Sequence, residues 1–174
     1  MERHVETMAY PELDARARRV IDANHYMTLA TVAPDGRPRL SPVYYTAARY
    51  TDFYWVSSPG ARHSQHLTAR PQVEIVIFDS TARVGHGEAV YLSALARPIG
   101  EDELDGVCAE AFRSTAGARR FAPHELRDEA PLRLYVAHSV ACEVLVRGGD
   151  PEYGRGVDTR RPADPTRAPR DAPR

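Results

Sequence analysis

The stretch YTDFYWVSSPGARHSQHLTARPQV, residues 50 to 73, joins an aromatic run to two hydroxyls, a Pro-Gly turn and a basic helix start. Tyr50, Phe53, Tyr54, Trp55 and Val56 predict a strand, Ser57, Ser58, Pro59 and Gly60 punctuate it, and a helix is expected from about 61 to 69. A helix start exposes unpaired N–H groups and a positive dipole end, where Asp or Glu is the usual neighbour. Arg62, His63 and Ser64 stand there instead, so an anion from outside the chain is the expected complement. With aromatic residues flanking it, the phosphate of an aromatic cofactor fits best. A solvated turn whose basic side chains point into water is the competing reading of these residues alone.

Upstream, Pro11 opens a helix whose Leu13, Ala17, Val20 and Ile21 recur at helical spacing, ending near Asn24. YMTLATVA (26 to 33) and PRLSPVYYT (38 to 46) flank Pro34-Asp35-Gly36-Arg37, the Asp-Gly signal of a hairpin. Downstream, VEIVIFD (73 to 79) is a β-branched run of the kind buried on both faces. RVGHGEAVYLSALARPI (83 to 99) predicts a long strand with a bulge or close approach at Gly85 and Gly87. EDELDGVCAEAFRST (101 to 115) predicts a helix with acids in its first turn, and LRLYVAHSVACEVLV (132 to 146) a last long strand or strand pair. The sum is a mainly β, α+β chain: six antiparallel strands in a closed or partly closed barrel, with short flanking helices. One domain is expected over residues 1 to 148. Residues 149 to 174, rich in Pro, Arg, Asp and Gly, are expected to form a near-neutral disordered tail.

Composition narrows the function. The net charge of −1 argues against a nucleic-acid partner, and no apolar run is long enough to span a bilayer, so a cytoplasmic protein is expected. There is no Lys, which leaves Arg and His as the only cationic side chains. Cys108 and Cys142 lack C-x-x-C spacing and read as free thiols. His63 and His66 are spaced i, i+3, but without a third ligand, and no metal site is expected. His25 and His138, beside apolar strand residues, read as hydrogen-bonded structural histidines. GHGEAV (85 to 90) lacks the third glycine and the strand-to-helix setting of a dinucleotide fingerprint, and no G-x-S-x-G elbow occurs. No side chain is marked as catalytic, so a cofactor would have to carry the chemistry.

The succession YMTLATVAPDGRPRLSPVYY, FYWVSSPGARHSQHLTARPQVEIVIFD and VGHGEAVYLSALARPI resembles the pyridoxamine 5'-phosphate oxidase-like split-barrel family of FMN-binding proteins, over about residues 20 to 147. The resemblance implies a six-stranded split barrel and a homodimer with FMN between the subunits. It implies that Ser41, Pro42, Val43 and Tyr44 line the ring system and ribityl chain, with Trp55 and Val56 next to them. Arg62 and His63 would grip the phosphate, Ser57 and Ser58 would donate hydroxyls, and Arg83 would approach the flavin. His63 stands where the family often has Lys, which implies a weaker or more pH-sensitive grip. The C-terminal Trp and Arg-x-His-type segment of true pyridoxamine-phosphate oxidases is not visible, which implies a different substrate. An FMN-dependent oxidoreductase is therefore expected. The alternatives are a deazaflavin-dependent reductase on the same fold and a non-catalytic flavin- or haem-binding module, with His63, His66 or His86 as candidate haem ligands.

Overall fold

The computed structural model describes residues 10 to 113 and 119 to 168. Helix α1 (Pro11–Ala23) leads into β1 (Tyr26–Val32) and β2 (Pro38–Tyr44), then β3 (Thr46–Ala48) and β4 (Asp52–Ser57). Helix α2 (Arg62–Ala69), β5 (Gln72–Phe78), β6 (Ala89–Pro98) and α3 (Leu104–Ala111) follow, then a 3-10 turn (Pro123–Glu125), β7 (Arg133–Val146) and β8 (Thr159–Pro162). All the strand pairs are antiparallel, in the order β2-β1-β5-β6-β7-β4-β3, with β8 on the far half of β7. The sheet curls into a split barrel.

Alternation within the strands fills that barrel. Met27 and Leu29 of β1, Ile75 and Ile77 of β5, Leu92 of β6 and Ala137 and Val144 of β7 point inward with Phe53 and Trp55 of β4. The predicted α1 stripe, Leu13, Ala17, Val20 and Ile21, lies buried across β5, β6 and β7. Each fully buried residue of the size of Leu13 contributes on the order of 1.5–3 kcal/mol over an exposed one. Tyr45 separates β2 from β3, its buried hydroxyl donating to the Ile21 carbonyl at 2.6 Å. A second apolar cluster forms where α3 covers the outer side of β4 and β7, through Tyr54, Leu104, Cys108, Phe112, Leu126, Leu134 and Val136.

The six expected strands are all present, and the sheet adds β3 and β8. The segment 83 to 88, expected as the start of β6, is instead a turn in which Gly85 has φ +82. The register shift falls at Ser93/Ala94, so neither glycine marks it. The helix expected over 101 to 115 is shorter, 104 to 111; residues 114 and 115 lie outside the described ones.

The largest departure is the tail. From 149 to 168 the chain is packed, in contrast to the expected disorder; residues 169 to 174 of the expected tail lie outside the described ones. Asp150 is buried, accepts from Arg16 at 2.8 Å and caps the Glu152 and Tyr153 amides. Buried Asp14 of α1 accepts the Asp164 amide at 2.7 Å, and Arg18 donates to the Pro165 and Arg167 carbonyls. Glycine here permits close approach: a Cβ on Gly148 would come 2.6 Å from the carbonyl carbon of Gly156.

Candidate functional site

The expected anion segment folds as its sequence reads. β4 ends at Ser57, the Ser58 hydroxyl accepts from the Gly60 amide at 3.1 Å, and the Ala61 amide donates to the Ser58 carbonyl. This turn delivers Arg62, His63 and Ser64 to the first turn of α2, which has no side-chain cap and no acid. The Ser57 hydroxyl and His63 Nε2 are 2.9 Å apart. Burial, with His66 nearby, holds the His63 imidazole below its usual pKa and favours the neutral ring. His66 is itself buried and 2.9 Å from the Thr31 hydroxyl, which ties α2 across the end of the barrel. Arg62 is exposed and has no hydrogen bond or ion pair with another described residue. Ser64 Oγ is buried and without a hydrogen-bond partner. No Asp or Glu occurs from Phe53 to Val73. A free guanidinium, an orphaned hydroxyl and an acid-free helix start fit a phosphate.

On the outer side of β4 a cleft of about 530 Å³ runs between the β1–β2 hairpin and the segments around α3. Tyr44 and Tyr26 line one wall, Tyr54 and Val56 the floor, and Phe112 and Phe121 the other wall, with Arg119 over the Phe121 ring at 4.5 Å. Such walls suit a flat aromatic ligand. Val56 and Leu132 line the cleft, each one residue short of Ser57 and Arg133. The cleft floor thus ends next to Ser57 and Arg133 in the chain, and none of Ser57, Arg62, His63 and Ser64 lines it.

Three of the residues expected to touch the flavin, Tyr44, Trp55 and Val56, line this cleft. Val43 and Trp55 point their side chains into the barrel core, where Trp55 stacks on Tyr135 at 5.4 Å with its indole N–H unpartnered. Ser41 is half-buried and Pro42 exposed on β2, outside the cleft lining. Arg83 is not brought to Arg62. It lies beyond the Phe78 end of β5, whereas α2 feeds the Gln72 end. Among the haem-ligand candidates, His63 and His66 are engaged at the barrel end and His86 is exposed on the 79 to 88 turn. The histidine that lines the cleft is His25, exposed and stacked on Tyr44 at 6.2 Å. His138, expected to be hydrogen-bonded, places Nδ1 2.7 Å from Asp52.

Sequence reading missed Phe112, Phe121, Leu132, Tyr54 and Tyr26 as cleft residues, because they come from segments up to about a hundred positions apart. Cys108 is buried and Cys142 half-buried; burial and the neighbouring carboxylates push the Cys142 thiol up to about 12, so it is protonated at neutral pH.

A family model described as pyridoxamine 5'-phosphate oxidase matches residues 13 to 141. No protein of curated function matches the chain in sequence. Among solved structures, a haem-binding protein from Mycobacterium smegmatis is 21% identical with a TM-score of 0.64, over 89% of this chain. The match spans only 60% of that protein's length. A protein of the pyridoxinephosphate oxidase family from Clostridium acetobutylicum is 8% identical, TM-score 0.60, over 87% of this chain and 94% of that one. The haem storage protein HutZ from Vibrio cholerae is 19% identical, TM-score 0.58, over 86% and 99%. At these identities the likeness shows a shared fold.

Proposed function

The chain belongs to the pyridoxamine 5'-phosphate oxidase family, and from that premise we propose that it is an FMN-dependent oxidoreductase acting on a small substrate other than pyridoxamine phosphate. The observation that carries this reading is Arg62, an exposed guanidinium without a partner among the described residues, on an acid-free helix start that follows in the chain from β4, the strand that floors the aromatic cleft. FMN, when bound, supplies hydride exchange at its N5. The chain supplies binding and orientation: Arg62, the α2 amides and the Ser57 and Ser58 hydroxyls hold the phosphate, and Tyr44, Tyr54 and Val56 hold the ring. No side chain in the cleft is assigned as a general acid.

A second copy completes the site in this proposal. β2 is a sheet edge, and its outer face joins that of β1 through the pairs Tyr26↔Tyr44, Thr28↔Pro42 and Ala30↔Leu40. Tyr26 is 63% exposed, Leu40 70% and Phe78 47%, an apolar surface that a homodimer would cover. Ser41, Pro42 and Arg83 would then meet the flavin from the subunit interface.

The test is titration of the purified protein with FMN, followed by absorbance and flavin fluorescence. Saturable binding, tighter for FMN than for riboflavin, is expected, and absence of binding at neutral pH overturns the reading. A deazaflavin cofactor in the same groove would show as displacement of FMN by the deazaflavin. His25 favours a second reading, a haem-binding module, since its exposed imidazole, without a hydrogen-bond partner among the described residues, lines the cleft. Haem reconstitution with a Soret band that is lost in His25→Ala, together with no flavin turnover, would establish that reading instead.

A further inference from the structure

We infer that Arg133, the first residue of β7, is a further cation of the phosphate site, sharing the anion with Arg62. The inference rests on the phosphate reading of the preceding subsection and extends it to a residue on another strand. Arg133 is the registered partner of Ser57. Residues directly opposite in an antiparallel pair share a face, with Cβ atoms roughly 4.5–5.5 Å apart, so Arg133 and Ser57 stand side by side at the barrel end that α2 covers.

The charge of Arg133 is not neutralised. Its guanidinium donates to three main-chain carbonyls, Ala130 and Asp128 at 2.6 Å and Leu132 at 2.8 Å, and forms no ion pair with a described carboxylate. Arg16, Arg19, Arg49, Arg97, Arg127 and Arg167, by contrast, each pair with an acid. Carbonyl oxygens fix a guanidinium in place and leave its full positive charge. Three of its five N–H groups are engaged, which leaves two for a ligand.

The loop is shaped around this group. Asp128 has φ +50, a left-handed conformation that is costly for a residue with a side chain, and its carbonyl is one of the three acceptors. From Ala130 to Cys142 the chain has no acid, as is true from Phe53 to Val73. The strand pairing that sets Arg133 opposite Ser57 brings it to the segment that carries Arg62, and although Asp128 and Glu129 stand in the loop before it, neither guanidinium forms an ion pair with a described carboxylate. A phosphate monoester is the ligand class that such a pair of guanidiniums recognises.

The experiment measures FMN and riboflavin affinities side by side for wild type, Arg62→Ala, Arg133→Gln and Arg133→Lys. Arg133→Gln is expected to lower FMN affinity by about 10- to 100-fold while leaving riboflavin within about twofold, the loss typical of a charge-assisted contact. Arg133→Lys is expected to retain most of the FMN preference. Equal weakening of both ligands, or no change in either, overturns the inference and leaves Arg133 as a loop brace. If wild type itself prefers neither ligand and Arg62→Ala is also silent, the phosphate reading fails as a whole. If it is only the Arg133 variants that are silent, this inference alone fails. Should Arg133→Gln not fold, Arg133→Met, which keeps the aliphatic stem, takes the same measurement with the same two outcomes.

Discussion

Ser57 Oγ and His63 Nε2 lie 2.9 Å apart, so the last residue of β4 and the first turn of α2 are joined by a hydrogen bond across the turn that positions Arg62. Burial, with the nearby His66, lowers the His63 pKa and favours the neutral ring as the Ser57 partner. The family's common Lys would be a permanent cation there.

A pH dependence follows with a definite sign. Because the folded-state pKa of His63 is lowered from 6.5, the unfolded chain takes up that proton first as the solution is acidified. Stability contributed by the neutral ring is present above pH 6.5 and is lost as pH falls from there through the folded-state value. Urea unfolding of wild type and His63→Gln at pH 7.5 and 5.5 checks this. The gap between the two should narrow or reverse at the lower pH, and a constant gap would refute it.

Arg62→Ala should weaken FMN by about 1.5–3 kcal/mol and riboflavin hardly at all, because only FMN carries the phosphate. Fluorescence titrations of both ligands decide it. Equal losses would show that Arg62 is not a phosphate ligand.

Thr31→Val removes the partner of buried His66 Nδ1. An unsatisfied buried polar group costs about 1–3 kcal/mol, so the urea midpoint should fall with an unchanged slope. Because α2 is tied to β1 by this contact, FMN affinity should fall as well; loss of stability with intact binding would separate the two roles.

Asp14→Asn tests the packing of the C-terminal segment. Asp14 is 2% exposed, accepts the Asp164 amide at 2.7 Å and lies 3.4 Å from Arg167. The substitution removes one of the two carboxylate partners of Arg167 and leaves Asp164 at 3.7 Å. Faster amide exchange at 159 to 164 is expected, with β1 and β5 protected as before. Uniform protection of the whole chain would mean that the segment is held by β8 pairing alone.

Leu40→Arg puts a charge on the apolar outer face of β2. If that face is the subunit interface, sedimentation should show a shift from dimer to monomer and FMN affinity should fall with it. A dimer that persists in the variant places the interface elsewhere.

The strands β1, β2, β4 and β5 and helix α1 were legible because each rests on a local pattern: alternation, a hairpin signal, or a stripe at 3.6 spacing. The helix start at Arg62 was equally legible, since a missing acid at a dipole end is visible within a few residues. The 149 to 168 segment was misread because its composition resembles disorder, while its order comes from Asp14, Arg16 and Arg18, more than 120 residues earlier. Arg133 carried no local signal beyond an acid-free flank. Its meaning depends on the register that sets it opposite Ser57. The sequence by itself determined the secondary elements, the fold class and the basic helix start, because these follow from nearest neighbours and periodicity. Only the tertiary structure decided that His63 bonds Ser57, that Tyr26, Tyr54 and Phe112 share one cleft, and that Arg133 stands beside the anion segment, because strand register and helix docking bring together residues whose separation along the chain says nothing of their distance in space.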